Sequence, residues 1–235
     1  MFMDLISFFT RIPAEGKLER VAKQLWALPL LALLTSALPM ALLLLKIPIR
    51  EILALIALYA TIGLIHLDGL ADFSDGLMAK GDVKVKFRAM KDVNVGIAGI
   101  FAVIVVILLQ VGALRFAPFY AIFLAELNSK FSILLSLSVK KPLGEGLAKF
   151  FMDRLDRRQF FVGFGIYIAL IVAVAFYDRI ALISALSLIV GLLTIKIALD
   201  NFKGLNGDCV GAVAEITRTS SLVLCAILDN PSMII

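Results

Sequence analysis

Three aspartates crowd the run His66-Leu-Asp-Gly-Leu-Ala-Asp-Phe-Ser-Asp-Gly76. On a helix turning about 100° per residue, Asp72 and Asp75 fall about 40° and 20° to either side of Asp68, so the three carboxylates share one face. Like charges at this spacing repel unless a cation lies between them. Oxygen-only donors suit a hard ion, and Mg²⁺ keeps several waters and bridges substrate phosphates while using one or two carboxylates at a time. Asp68, Asp72 and Asp75 are therefore the expected metal ligands of a Mg²⁺-dependent phosphate chemistry, against the plainer alternative of a solvated helix end. His66, the only histidine, falls about 160° from Asp68 and would reach the same ion only if the helix opened at Gly69. A packing role and a catalytic role are both open for it.

A second polar motif, Gly204-Leu-Asn-Gly-Asp208, opens the last apolar segment. Gly204 and Gly207 permit close backbone approach. Asp208 has an ordinary capping role near a helix start, but Gly211 and Glu215 continue its face one and two turns deeper. Two further acids face bases within apolar segments: Glu126 with Lys130 at i, i+4 and Glu215 with Arg218 at i, i+3. Ionisable groups at such positions need a partner or a purpose, and intrahelical salt bridges account for both pairs. No Gly-x-x-x-x-Gly-Lys-Ser/Thr loop or Ser/His/Asp hydrolase pattern is present.

The elements that must position these residues are membrane helices. The 235 residues are 61% hydrophobic and 17% charged, with a mean hydropathy of +1.01, too apolar for a soluble domain to cover its surface. Unbroken Leu/Ile/Val/Ala runs rather than ten-residue alternation exclude a membrane barrel. Seven spans are expected, near 25–45, 49–67, 95–114, 117–139, 160–177, 180–199 and 209–229, in one all-α domain covering 1–235. The three aspartates would then sit at the end of the second span. Most of the 23 Lys and Arg residues flank alternate span ends, which predicts a cytoplasmic N-terminus and places both polar motifs on the cytoplasmic side. Two loops on that side read as surface helices. One carries Val83, Phe87 and Met90 beside Lys84, Arg88 and Lys91. The other starts at Pro142, with Leu143, Leu147, Phe150, Phe151 and Leu155 as its apolar face. Lipid headgroups or a phosphorylated substrate would explain the basic stripes; nucleic acid is not expected. Cys209 and Cys225 share the last span and offer neither a disulfide framework nor a spaced metal motif.

The run His66 to Gly76 resembles the signature of the cobalamin synthase family, the adenosylcobinamide-GDP ribazoletransferases. The likeness continues through Thr10-Arg-Ile-Pro13, Met90-Lys-Asp92, Gly96-Ile-Ala-Gly99, Gly207-Asp208, Gly211 and Glu215. The chain departs from the family pattern at Asn94, at Lys130, where Arg is usual, and at Leu205-Asn206. The resemblance implies a multi-pass enzyme of a prokaryotic cell membrane, with its active site facing the cytoplasm. It would join α-ribazole or its 5′-phosphate to adenosylcobinamide-GDP and release GMP, with Mg²⁺ on Asp68, Asp72 and Asp75. Asp208, Glu215 and His66 become candidates for catalysis, and Lys91, Asp92, Lys130, Asn206 and Gly207 for substrate binding. Membrane lipid is an expected partner, and a homo-oligomer is left open. The competing classes are a Mg²⁺-dependent transferase of the CDP-alcohol phosphatidyltransferase type, whose pattern has Arg after the Asp-Gly-x-x-Ala alanine where Asp72 stands here, and a cation transporter.

Overall fold

Apolar runs of this length satisfy their backbone groups within themselves, and the computed structural model, which describes residues 2–13 and 16–229, is helical throughout with no strand among them. Short helices α1 (Phe2–Phe9) and α2 (Leu18–Ala22) lead into a 3₁₀ turn, Leu25–Leu30, continuous with α3 (Leu31–Leu43). There follow α4 (Arg50–Ile62), α5 (Ile65–Met78), α6 (Val83–Met90), α7 (Ile97–Phe116) and α8 (Ala121–Ser138). The chain continues through α9 (Leu147–Arg154), α10 (Arg157–Ala175), α11 (Ile180–Ser184), α12 (Ser187–Phe202) and α13 (Gly207–Asp229).

Among the described residues, six helical stretches are long and apolar enough to cross a membrane: Leu25–Leu43, α7, α8, α10, α11 with α12, and α13. The span expected at 49–67 is different. Helix α4 has 13 residues, about 20 Å at 1.5 Å per residue, short of the ~30 Å of hydrocarbon. Gly63, at φ 77°, ends it, its N–H donating to the Tyr59 carbonyl at 2.8 Å. The chain then turns by 92° into α5. The three aspartates thus lie on a separate helix beyond a sharp bend, and α4 with α5 counts as a seventh span only as a broken one. A glycine inside an apolar run does not announce such a break, because glycine is tolerated in membrane helices.

Helices α8 and α13 form the centre of the bundle. Nearly every side chain of α8 is buried, including Glu126, Asn128 and Lys130, whereas α7 and α10 are peripheral and expose residues such as Phe101, Leu108, Phe161 and Val172 outward. The expected salt bridges form within this centre and are joined to each other. Lys130 Nζ lies 3.3 Å from Glu126 Oε2, Arg218 Nε donates to Glu126 Oε1 at 2.6 Å, and Arg218 also pairs with Glu215. Thr35 donates to Glu126 Oε2 at 2.6 Å and Tyr59 to Glu215 Oε2 at 3.0 Å. One network therefore ties α3, α4, α8 and α13 at a depth where unpaired charge is costly.

The loop helices match expectation in part. Helix α6 begins at Val83, capped by Asp82, whose carboxylate accepts from the Val85 N–H. The second begins at Leu147 rather than Pro142. Pro142 instead pairs as an isolated bridge with Leu205: Leu143 N–H donates to Leu205 O at 2.9 Å and Leu205 N–H to Lys141 O at 2.8 Å. This local pairing straps the loop to the start of α13 and keeps Leu143 off the helix. Phe151 and Met152 are buried against protein, with Phe151 edge-on to Phe8.

Candidate functional site

Helix α5 places its apolar side, Leu67, Leu70, Ala71 and Phe73, in the core. Asp68 is left exposed and Asp72 and Asp75 half-exposed on the other side. The helix runs unbroken through Gly69. Glycines set its distance from its neighbours. A Cβ built on Gly69 would sit 3.0 Å from both Cα and the carbonyl O of Asp208, and one on Gly211 3.2 Å from Cα of His66. The α5 and α13 backbones therefore touch, as small residues allow in membrane bundles, and this contact sets the first motif against the second.

The result is an acidic face built from two helices. The charges acting on Asp72 are those of Asp208, Asp68, Lys91 and Asp75, so a single cation offsets several carboxylates. Lys91, just past the end of α6, pairs with Asp208. Asn206 caps α13 by accepting from Cys209 N–H at 3.0 Å, and its Nδ2 donates to Asp208 Oδ2 at 2.8 Å. The capping role anticipated for Asp208 thus belongs to Asn206, which frees the Asp208 carboxylate to face α5 and Lys91.

Asp75 is used differently. Its Oδ2 accepts from Gly96 N–H at 2.6 Å and its Oδ1 from Gly99 N–H at 2.9 Å. It caps α7 from a neighbouring helix and neutralises two of that helix's orphan donors. Gly96 and Gly99 make room, since a side chain at either would strike the Asp75 carboxylate. Among the described residues no three His, Cys, Asp or Glu side chains are gathered into a ready metal cage. Helical phase puts Asp68, Asp72 and Asp75 on one face, and of the three it is Asp75 whose two oxygens each accept a backbone N–H. The remaining donors, Asp68, Asp72 and Asp208, are all carboxylates, and their chemistry fits a hard ion that keeps its waters and uses one or two protein oxygens.

A cavity of about 330 Å³ opens beside this face, lined by His66, Asp68, Lys91, Asn206, Gly207 and Asp208 together with apolar side chains. It gathers candidates from positions 66 to 208. It does not include Glu215 or Lys130, both fully buried in the ionic network, nor Asp92, which is exposed and accepts from the backbone and side-chain N–H groups of Asn94. His66 stands between the two regions: it lines the cavity, while the charges that act on it are those of Lys130, Arg218 and Glu126.

Sequence reasoning passed over Tyr59, Gln110 and Thr35, which complete the network. Gln110 donates to Thr219 Oγ1 at 2.9 Å and accepts from Tyr59 at 2.9 Å. The available signal was Gln110 itself, the one side chain in its span with an amide to satisfy. Phe8 and Phe9, which also line the cavity, carried no signal beyond hydrophobicity.

The model of the cobalamin-5-phosphate synthase family matches residues 1–226. A Thermococcus onnurineus protein named adenosylcobinamide-GDP ribazoletransferase is 55% identical over 223 residues, covering 95% of this chain and 96% of its own. A Pyrococcus furiosus protein of the same name is 51% identical, covering 95% and 98%, and one from Archaeoglobus fulgidus is 32% identical, covering 92% and 93%. No solved structure matches the chain. A family match across nearly the whole length, taking in both polar motifs and the helices that press them together, means that the chain belongs to the cobalamin-5-phosphate synthase family.

Proposed function

We propose that this chain is an adenosylcobinamide-GDP ribazoletransferase, which joins α-ribazole or its 5′-phosphate to adenosylcobinamide-GDP and so completes the nucleotide loop of cobalamin. A ribose hydroxyl of the acceptor attacks the cobinamide-linked phosphorus, the bond to the bridging oxygen breaks, and GMP leaves with that oxygen. The observation that carries this reading is the pressing together of α5 and α13 at Gly69, which sets Asp68 and Asp72 against Asp208 and Lys91, with Asp68, Lys91 and Asp208 at the wall of a cavity.

Displacement at phosphorus depends mostly on positioning and on charge neutralisation. Lys91 is placed to transfer its ammonium from Asp208 to a substrate phosphate. Asp208, released from that pair, accepts the proton of the attacking hydroxyl. Asn206 holds Asp208 in place through its Nδ2. Asp68 and Asp72 would hold Mg²⁺, which would offset phosphate charge when bound. The asymmetry of Lys and Arg supports a cytoplasmic setting for this face in a prokaryotic cell membrane, where nucleotides are soluble, and the basic stripe of α6 fits anionic lipid headgroups.

The direct test is to incubate membranes carrying the protein with adenosylcobinamide-GDP, α-ribazole and Mg²⁺ and to follow products by mass spectrometry. GMP and a completed corrinoid are expected in equal amounts. Absence of GMP with both acceptors would refute the assignment.

A further inference from the structure

The cavity is chemically two-sided. Asp68, Lys91 and Asp208 supply charge, Glu145 and Lys149 add a pair that is closed on itself, and Phe8, Phe9, Phe87 and Phe151 supply aromatic surface. Three of these rings brace one another: Phe8 meets Phe9 edge-on at 4.9 Å and Phe151 at 5.2 Å between centroids, the favoured geometry for aromatic pairs. Phe87 comes separately from α6, four residues before Lys91. The two residues are thus about one helical turn apart along the backbone, and both side chains line the cavity.

We infer that this aromatic wall seats the base of the acceptor nucleoside, with Phe87 as the residue that sets the preference for a flat, alkylated, benzimidazole-like ring. The inference rests on the transferase reading above and says which substrate the cavity takes. Size is the first argument. A cavity of about 330 Å³ is at the small end of ligand sites and suits a nucleoside, whereas a corrin ring with its appended nucleotide has to remain largely outside. Polarity is the second. The guanine of the other substrate carries several hydrogen-bonding edge groups that a phenylalanine wall would leave unpaired at a cost, whereas an alkylated benzimidazole carries almost none. The base stacks on phenylalanine, and the ribose hydroxyl then lies toward Lys91 and Asp208, where attack has to occur.

The test is steady-state kinetics with each substrate varied in turn. Phe87→Ala should raise KM for α-ribazole about five- to 150-fold, the range of base–aromatic stacking, and leave KM for adenosylcobinamide-GDP unchanged; Phe87→Tyr, which keeps the ring, should restore the wild-type KM. A rise in KM for adenosylcobinamide-GDP instead would place guanine or corrin there and overturn the inference, as would no change in either constant. A photoreactive azido-benzimidazole riboside gives a readout on the unmodified protein: labelling of peptides containing Phe87 or Phe151 is expected, and labelling confined to other peptides overturns the assignment. Failure of wild-type protein to release GMP with any acceptor would instead sink the transferase reading.

Discussion

Replacing Gly69 by alanine puts the geometry of the acidic face to its sharpest test. The added methyl would lie 3.0 Å from two backbone atoms of Asp208, Cα and the carbonyl oxygen, neither of which can swing aside as a side chain can. Carbon contacts settle near 3.5–4.0 Å, so α5 and α13 must separate by about 0.5–1 Å. Overpacking of this kind costs about 1–3 kcal/mol, and alanine returns about 1 kcal/mol of helix propensity over glycine. The net loss of stability is then ~0–2 kcal/mol, a fall in Tm of a few degrees for a chain this size. The separation falls between Asp68 and Asp72 on one side and Asp208 on the other, and misplacement of reacting groups by ~1 Å costs on the order of 10²-fold in rate. Gly69→Ala should therefore remain folded, by thermal melting in detergent, while GMP release per mole of folded protein falls about 100-fold. Gly112→Ala is the matched control: its Cβ meets nothing within 4 Å, so turnover should match wild type while stability rises by up to about 1 kcal/mol of helix propensity. Wild-type turnover by Gly69→Ala would refute the claim that this contact sets the site.

Asp72→Asn should abolish GMP release even at saturating Mg²⁺; near-normal turnover would remove Asp72 from the proposed metal site. Asp75→Asn leaves one N–H of the α7 terminus facing an amide instead of a carboxylate oxygen, a cost of about 1–3 kcal/mol. It should lower Tm and turnover without changing the Mg²⁺ concentration for half-maximal rate, and a shift in that concentration would mark Asp75 as a ligand. Arg218→Met removes the cation shared by Glu126 and Glu215 and should cost about 3–5 kcal/mol, read as a Tm lower by roughly 10 °C; an unchanged Tm would mean that the buried network contributes nothing net.

Much of this was legible in the chain because the bilayer leaves few solutions. Long Leu/Ile/Val/Ala runs must be helices, and buried acids must find bases. So α7, α8, α10 and α13 and the pairs Glu126–Lys130 and Glu215–Arg218 follow from spacing alone. Partners across helices did not follow from it. That Arg218 would join the two pairs through Glu126, 92 positions away, depends on how α8 and α13 cross, and so does the exclusion of Lys130 and Glu215 from the cavity.

By itself, the sequence determined that Asp68, Asp72 and Asp75 share a helical face, that a second acid–glycine motif begins the last helix, and that both belong to a membrane-embedded bundle. These are consequences of local periodicity and of the cost of exposing backbone to lipid. Only the tertiary structure decided what each aspartate does. Gly69 lets α13 approach within backbone contact and turns Asp72 toward Asp208, while the N-terminus of α7 arrives at Asp75 with two N–H groups unpaired and claims both its oxygens. Helical phase gives three equivalent acids, and the neighbours that pack against them make them unequal.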